Sequence, residues 1–224
     1  MLERGRRPVV PVEVNKAHPL GKGLEVCWLG DRAPIDVVGH SSLVTYGGNA
    51  THAVTSKGWA FSTDGTGDYV RVSKPFNPGD KDRITVSLWA IDEEWWQGGD
   101  DYLNVVGEDS IIFRAGIAHV KDAAGSYSGA VTVGTNANGT EIQHRAITYD
   151  GTTLTGYNNG AFGSSTSVTG LYSSTADFVL GINQDLSARA VKGKIWGFCV
   201  WDRALSAEEI LSINLDPYQF LIPK

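Results

Sequence analysis

The chain has 224 residues, 42% of them hydrophobic, and a formal net charge of −6. That is enough for a self-supporting core, and the sign argues against general affinity for nucleic acid. Glycine is abundant at 27 residues and cysteine scarce at two; neither Cys27 nor Cys199 falls in a CxxC or Cys/His cluster, so no zinc site or other cofactor is implied.

Residues 1–20 read as an extended N-terminal arm. Pro8, Pro11 and Pro19 forbid a continuous helix, and no apolar stretch is long enough for a signal-peptide core or a membrane span. Use without export by the usual pathway is the expectation. Four basic side chains (Arg4, Arg6, Arg7, Lys16) oppose Glu3 and Glu13, so the arm carries +2 and the rest of the chain −8. A basic arm on an acidic body points to docking on a neighbour or to self-association, with a solubilising tail as the plainer alternative. Arg4, Arg6, Arg7, Pro8 and Pro11 are the candidate partner-binding residues. The arm is expected to stand away from the body and to hold no core position.

Strand patterns follow at short intervals. Leu24–Leu29 alternates, and Trp59–Phe61 and Tyr69–Val72 flank a turn at Ser62–Asp68. Ile84–Ile91 alternates again, followed by Tyr102–Val106, Ile111–Arg114, Ile117–Lys121 and Gly129–Val133. Ile142–Tyr149 passes through Asp150-Gly151 into Thr152–Tyr157, where the dipeptide predicts a type I′ hairpin with positive φ at both central residues. Phe178–Ile182 and Lys194–Trp201 complete the set. Alternation places Trp28, Trp59, Phe61, Trp89, Ile147 and Phe198 in the core. Cys27 and Cys199 fall on the opposite face and are expected to point outward; a disulfide between them is conceivable, and free thiols are favoured. After the last strand, Ser206 and Glu209 form a capping box that opens a short helix. One domain over 21–213 with a tail at 214–224 is the expected organisation.

Four blocks resemble, in order, the concanavalin A-like, laminin-G-type jelly roll. GWAFSTDGTGDYVRV resembles the family's G-x-A-L-x-F-D-G-x-D-D-Y-V, and ITVSLWAI its F-T-I-S-A-W-V. HRAITYDGTTLTGYNNG matches its H-V-A-x-T-Y-D-G hairpin. GKIWGFCVWDRALSAEEI matches its closing strand and helix, roughly G-x-I-D-E-V-R-I-Y-N-R-A-L-S-A-E-E-I. The resemblance implies an all-β, concanavalin A-like jelly-roll β-sandwich with a short C-terminal helix. The flanks VPVEVNKAHPLGKGL and LDPYQFLIPK resemble those of laminin-G-like virion proteins of tailed bacteriophages.

The resemblance also implies a calcium site, which this chain departs from. Asp36 stands where an early family loop supplies ligands, but Trp196 and Gly197 replace the acidic pair of the last strand, so no metal site is expected. Asp64 and Asp68 match family acids and can equally cap their own turn. Glycoside hydrolysis needs two carboxylates facing one groove, and no strand carries acids at period two. Glu108 and Asp109 are adjacent in a turn. The histidines (His18, His40, His52, His119, His144) form no readable triad, and His144 reads as a packed strand histidine.

One stretch has recognition character. Asp92, Glu93, Glu94, Trp95, Trp96, Asp100, Asp101 and Tyr102 bring indole faces and acids together, as a protein contact or a sugar site would; one Trp tucked under a solvated loop is the alternative. The expectation is therefore a non-enzymatic virion structural protein, assembled in the host cytoplasm. As a capsid decoration protein it would contact the major capsid protein and copies of itself. A carbohydrate-binding adhesin on the tail or neck is the runner-up, and a glycoside hydrolase a distant third.

Overall fold

The computed structural model describes residues 11–30, 36–39, 44–55, 58–73, 77–94, 104–107, 110–114, 116–134, 141–174, 176–182, 186 and 190–224. In chain order these form β1 (Val12–Val14), β2 (Leu24–Trp28), β3 (Val44–Gly47), β4 (Thr51–Thr55), β5 (Gly58–Asp64), β6 (Tyr69–Val72), β7 (Ile84–Glu94), β8 (Asn104–Gly107), β9 (Ile111–Arg114), β10 (Ile117–Lys121) and β11 (Tyr127–Thr132). They continue as β12 (Gln143–Tyr149), β13 (Thr153–Asn158), β14 (Ala161–Ser167), β15 (Phe178–Leu180), β16 (Lys192–Trp201), α1 (Ala207–Leu215) and β17 (Leu221–Pro223). No helix among the described residues is long and apolar enough to cross a membrane.

The chain is an all-β jelly-roll sandwich with one short helix. One sheet runs β11-β10-β9-β8-β15-β6-β3, the other β14-β13-β12-β7-β16-β5-β4, with β2 also paired to β16. Val70, Val72, Phe113 and Phe178 of the first sheet meet Trp28, Phe61, Leu88, Ile147 and Phe198 of the second in a dry core. Each core strand contributes alternate residues, as the pleat requires.

Two of the six expected core residues are only half-buried: Trp59 and Trp89. The reason for Trp89 is parity. Ile84, Val86, Leu88 and Ala90 enter the core, so Trp89 shares the other face of β7 with Thr85 and Ser87. The hairpin expectation also shifts by one turn. At Asp150-Gly151 only the glycine takes positive φ (107°), because Asp150 Oδ1 accepts from the amides of Thr152 and Thr153 at 3.0 and 2.8 Å and holds an Asx turn. The two-residue turn with both φ positive lies at Asn159 (50°) and Gly160 (80°), between β13 and β14.

The outer face of the larger sheet is a second apolar surface, and the chain ends cover it. Trp201, Ala146, Cys27, Cys199 and Leu24 pack with Ile210 and Ile213 of α1, with Leu20 before β2 and with Phe220 and Leu221 after α1. β1 and β17 pair as a two-stranded ribbon, Val12 opposite Pro223 and Val14 opposite Leu221. Three expectations change here. Residues 11–20 do not stand free, since Leu20 is 2% exposed and Trp201 Nε1 donates to its carbonyl at 2.8 Å. The stretch after Ile213 is likewise packed, with Phe220 fully buried. Cys27 and Cys199 do face away from the sandwich core, but both are buried free thiols because this cover lies over them. Pro11 is exposed; Arg4, Arg6, Arg7 and Pro8 lie outside the described residues.

Arg203, just past β16, locks the cover. Its guanidinium forks onto Glu209 of α1 at 2.9 and 2.8 Å. The same group donates to the carbonyls of Pro19 and Lys22, each at 2.9 Å. Glu209 also completes the expected capping box: it accepts from the Ser206 amide at 2.9 Å, and Ser206 Oγ accepts from the Glu209 amide at 3.3 Å. Arg203→Ala is expected to cost about 2 kcal/mol, because it removes the guanidinium's bonds to Glu209 and to the carbonyls of Pro19 and Lys22. Arg203→Lys should recover less than half of that, since an ammonium cannot make the fork. Urea denaturation measures both, and a change under about 0.5 kcal/mol in the alanine variant would remove the clamp from this account.

Candidate functional site

The register of β16 against β7 slips between Ile195 and Gly197: Ile195 lies opposite Ala90 and Gly197 opposite Trp89, which makes Trp196 the extra residue of a β-bulge. The bulge falls on the two positions where the resembled family carries its acidic pair. Trp196 is 5% exposed and its Nε1 donates to Thr55 Oγ1 at 2.9 Å. Gly197 leaves the sheet bare at that point. A Cβ placed on it would meet Trp89 Cε3 at 3.5 Å, an ordinary contact, so it is the missing side chain that keeps this space open.

The space is a cleft of about 200 Å³ between the outer face of the sheet and the C-terminal cover. Trp89, His144, Trp196 and Gly197 line it from the sheet, and Asn214, Pro217 and Tyr218 from the end of α1 and the turn after it. Trp89 has a neighbour on each flank. On the β12 side its indole stacks on the His144 ring, centroids 4.5 Å apart and 17° from parallel. On the β16 side stands Gly197. One indole face is therefore backed by imidazole, and the indole as a whole is part of the cleft lining.

His144 is 1% exposed. Its backbone amide donates to Asn159 Oδ1 at 2.9 Å, which ties the β12 backbone to the β13–β14 turn. Its Nε2 lies 2.7 Å from Ser87 Oγ, while its Nδ1 is buried without a hydrogen-bond partner. Burial lowers its pKa from 6.5 to about 3, so the ring is neutral in the folded protein at neutral pH. Whichever nitrogen carries the proton, Nδ1 is left with an unmet donor or acceptor capacity. Among the described residues, no Asp or Glu lines this cleft.

The structure describes only some of the expected site residues. Asp92, Glu93 and Glu94 belong to β7 rather than to a loop, with Asp92 opposite Gly193 and Glu94 opposite Lys192. Trp95, Trp96, Asp100, Asp101 and Tyr102 lie outside the described residues, as do Glu108 and Asp109. The three acids matched to the family are occupied as turn caps. Asp36 Oδ1 accepts from the amides of Cys27 and Val38 at 2.8 and 3.1 Å. Asp68 accepts from Asn49 and Asp64, each at 2.9 Å, and Asp64 Oδ1 from Thr66 at 2.7 Å. Among the described residues no group of three His, Cys, Asp or Glu side chains could hold a metal ion. Sequence reasoning missed the cleft, although the parity of β7 already placed Trp89 on the outer face.

Residues 64–211 match the family model described as the concanavalin A-like lectin/glucanases superfamily. No curated protein sequence matches the chain. Among solved structures, the binding domain of Paraclostridial Mosquitocidal Protein 1 is similar, with a TM-score of 0.68 and 15% identity over 86% of this chain and 52% of that one. Domain 4 of AbnA, a GH43 extracellular arabinanase from Geobacillus stearothermophilus, in complex with arabinotriose, gives 0.64 and 17% over 85% and 98%. The binding domain of botulinum neurotoxin serotype D gives 0.65 and 17% over 90% and 52%. The chain spans about half the length of the toxin binding domains it matches. At these identities the likeness establishes the fold.

Two outcomes follow from the site. Because the family-matched acids cap turns, EDTA should leave the melting temperature unchanged; a drop on chelation, reversed by added calcium, would show a site that this geometry lacks. The buried imidazole fixes the sign of a pH dependence. Its folded pKa lies below its unfolded value, so its stabilisation is complete above about pH 6.5 and is lost as pH falls towards 3. The loss should reach about 3 kcal/mol by pH 4. Urea midpoints of the wild type and His144→Gln at pH 7 and pH 4 test this: the variant should fall by less, and parallel losses would refute the assignment.

Proposed function

The chain belongs to the concanavalin A-like lectin/glucanases superfamily, and on that premise we propose that it is a non-catalytic binding module whose outer-face cleft takes a ring of a neutral saccharide. The observation that carries this reading is the aromatic slot above Gly197. An indole in the wall of a narrow cleft can stack on the C–H face of a sugar ring, while the polar atoms at the rim meet its hydroxyls. The unpartnered His144 Nδ1 has the matching requirement. A hydroxyl both donates and accepts, so it satisfies either tautomer.

The family name spans lectins and glucanases, and the described lining supports the binding reading. Hydrolysis requires an acid and a second carboxylate some 5–10 Å apart across the bond, and this cleft is lined by neither. A neutral lining also fits a neutral ligand better than an acidic or basic one, since a buried charge without a counter-charge is costly. At about 200 Å³ the cleft is smaller than the roughly 300–1,000 Å³ of drug-sized sites, which suits one ring of a longer glycan.

Support for the capsid-decoration expectation is narrower. It drew on flanks that lie outside residues 64–211, and the packing of residues 11–20 against the body takes them out of any free arm. The adhesin-like reading draws on the cleft itself.

The test is binding to a glycan array, followed by titration calorimetry with the best oligosaccharide and with arabinotriose. Trp89→Ala should weaken binding at least tenfold. Gly197→Leu should abolish it by filling the slot, while Gly197→Ala, whose methyl meets only ordinary contacts, should melt like the wild type and serve as the folding control. Binding that survives Gly197→Leu in a folded protein would move the ligand elsewhere. No glycan bound by the wild type would end the saccharide reading.

A further inference from the structure

Cys27 of β2 and Cys199 of β16 are direct partners in an antiparallel pair. Both are free thiols, 0% and 2% exposed, and their Sγ atoms are 3.5 Å apart. Directly opposed residues in such a pair have Cα atoms roughly 4.5–5.5 Å apart, within the roughly 4.4–6.8 Å that disulfides span, so neither strand has to move for the sulfurs to join. The backbone here is pinned: the Cys27 amide donates to buried Asp36 at 2.8 Å. The thiols also differ in access. Cys199 lines the cleft, while Cys27 is behind it and fully buried. The contact with Cys199, and then burial, push the Cys27 thiol well above its ordinary value, which makes it the second of the two to react.

We propose that this pair is an oxidation site at which a hydroperoxide entering the cleft links Cys27 to Cys199. A cleft of about 200 Å³ admits hydrogen peroxide easily. In the first step the deprotonated Cys199 sulfur attacks one peroxide oxygen. An S–O bond forms, the O–O bond breaks, and the departing hydroxide takes up the thiol's proton to leave as water. In the second step the Cys27 sulfur attacks the Cys199 sulfenic sulfur. The S–S bond forms, the S–O bond breaks, and the hydroxyl leaves with the Cys27 proton as a second water. Two thiols give up two electrons, and one hydrogen peroxide becomes two waters.

The position gives the link a consequence. β2 runs directly into Leu29, which lines the cleft, and β16 carries Trp196, Gly197 and Cys199 along its floor. A Cys27–Cys199 bond pins wall to floor. It also closes a loop between residues 172 apart in sequence, the long-loop case in which a cross-link restricts the unfolded chain most. The inference rests on the strand register and stands whether or not the cleft takes a saccharide.

The experiment exposes the folded, reduced protein to hydrogen peroxide, removes the peroxide, denatures in acid and alkylates. The expected product is a monomer lighter by two hydrogens, with no alkylated cysteine and a linked peptide joining positions 27 and 199. Its melting temperature should rise by roughly 5–10 °C and return on treatment with dithiothreitol. Under the same treatment Cys27→Ala should leave a sulfenic acid at position 199 that dimedone traps, and Cys199→Ala should leave Cys27 fully alkylatable. Recovery of both thiols alkylated from the treated folded wild type would overturn the proposal, as would a disulfide formed only between chains. The wild-type measurement decides the matter even if a variant fails to fold.

Discussion

A sheet has two faces, and in this chain both are apolar. The sandwich buries one; the other carries Trp201, Ala146, Cys27, Cys199 and Leu24 and has to be covered by something else. Most of the molecule's particular features answer that requirement. The segment before β2, α1 and the β1–β17 ribbon lie on this face, and Arg203 holds segment and helix in place with one planar fork and two further bonds. Apolar area of this size, left wet, would be a site for association rather than for folding.

The cover closes over most of the sheet but not over the bulge. There β16 gains a residue, Trp196, and presents Gly197 where a side chain would otherwise fill the gap. Cover and sheet together make the cleft, one supplying Asn214, Pro217 and Tyr218, the other Trp89, His144 and the bulge. The cleft is thus a by-product of incomplete packing, with a glycine and a buried imidazole among its lining residues.

The strand pattern, the capping box and the family blocks made the sandwich readable from sequence, since all three are local or periodic signals. The outer cover was not. β1 and β17 are three residues each and pair across almost the whole chain, a contact without local signature. Proline and charge in residues 1–20 pointed to a free arm; within the described residues 11–20, tertiary burial of Leu20 outweighed them. Trp89 was misplaced for a different reason. Its bulk outweighed its parity, although Thr85 and Ser87 on the same face already marked that side as distinct from the aliphatic row. The bulge at Trp196 is invisible to any alternation rule, because it is the point where alternation fails. Asp150-Gly151 shows a subtler limit: the dipeptide marked a turn correctly, but the carboxylate's own hydrogen bonds chose its type.

The ribbon has a mechanical meaning. β1 and β17 are antiparallel, and the amide of Lys224 donates to the carbonyl of Pro11 at 3.0 Å, so the two ends of the described chain leave side by side. A load applied between them meets the ribbon's hydrogen bonds one after another, as a zipper does, instead of all together in shear. The first element to peel is the stretch carrying Leu221 and Phe220, next to the Tyr218 that walls the cleft. Tension at the termini would therefore be felt at the cleft before it reached the sandwich.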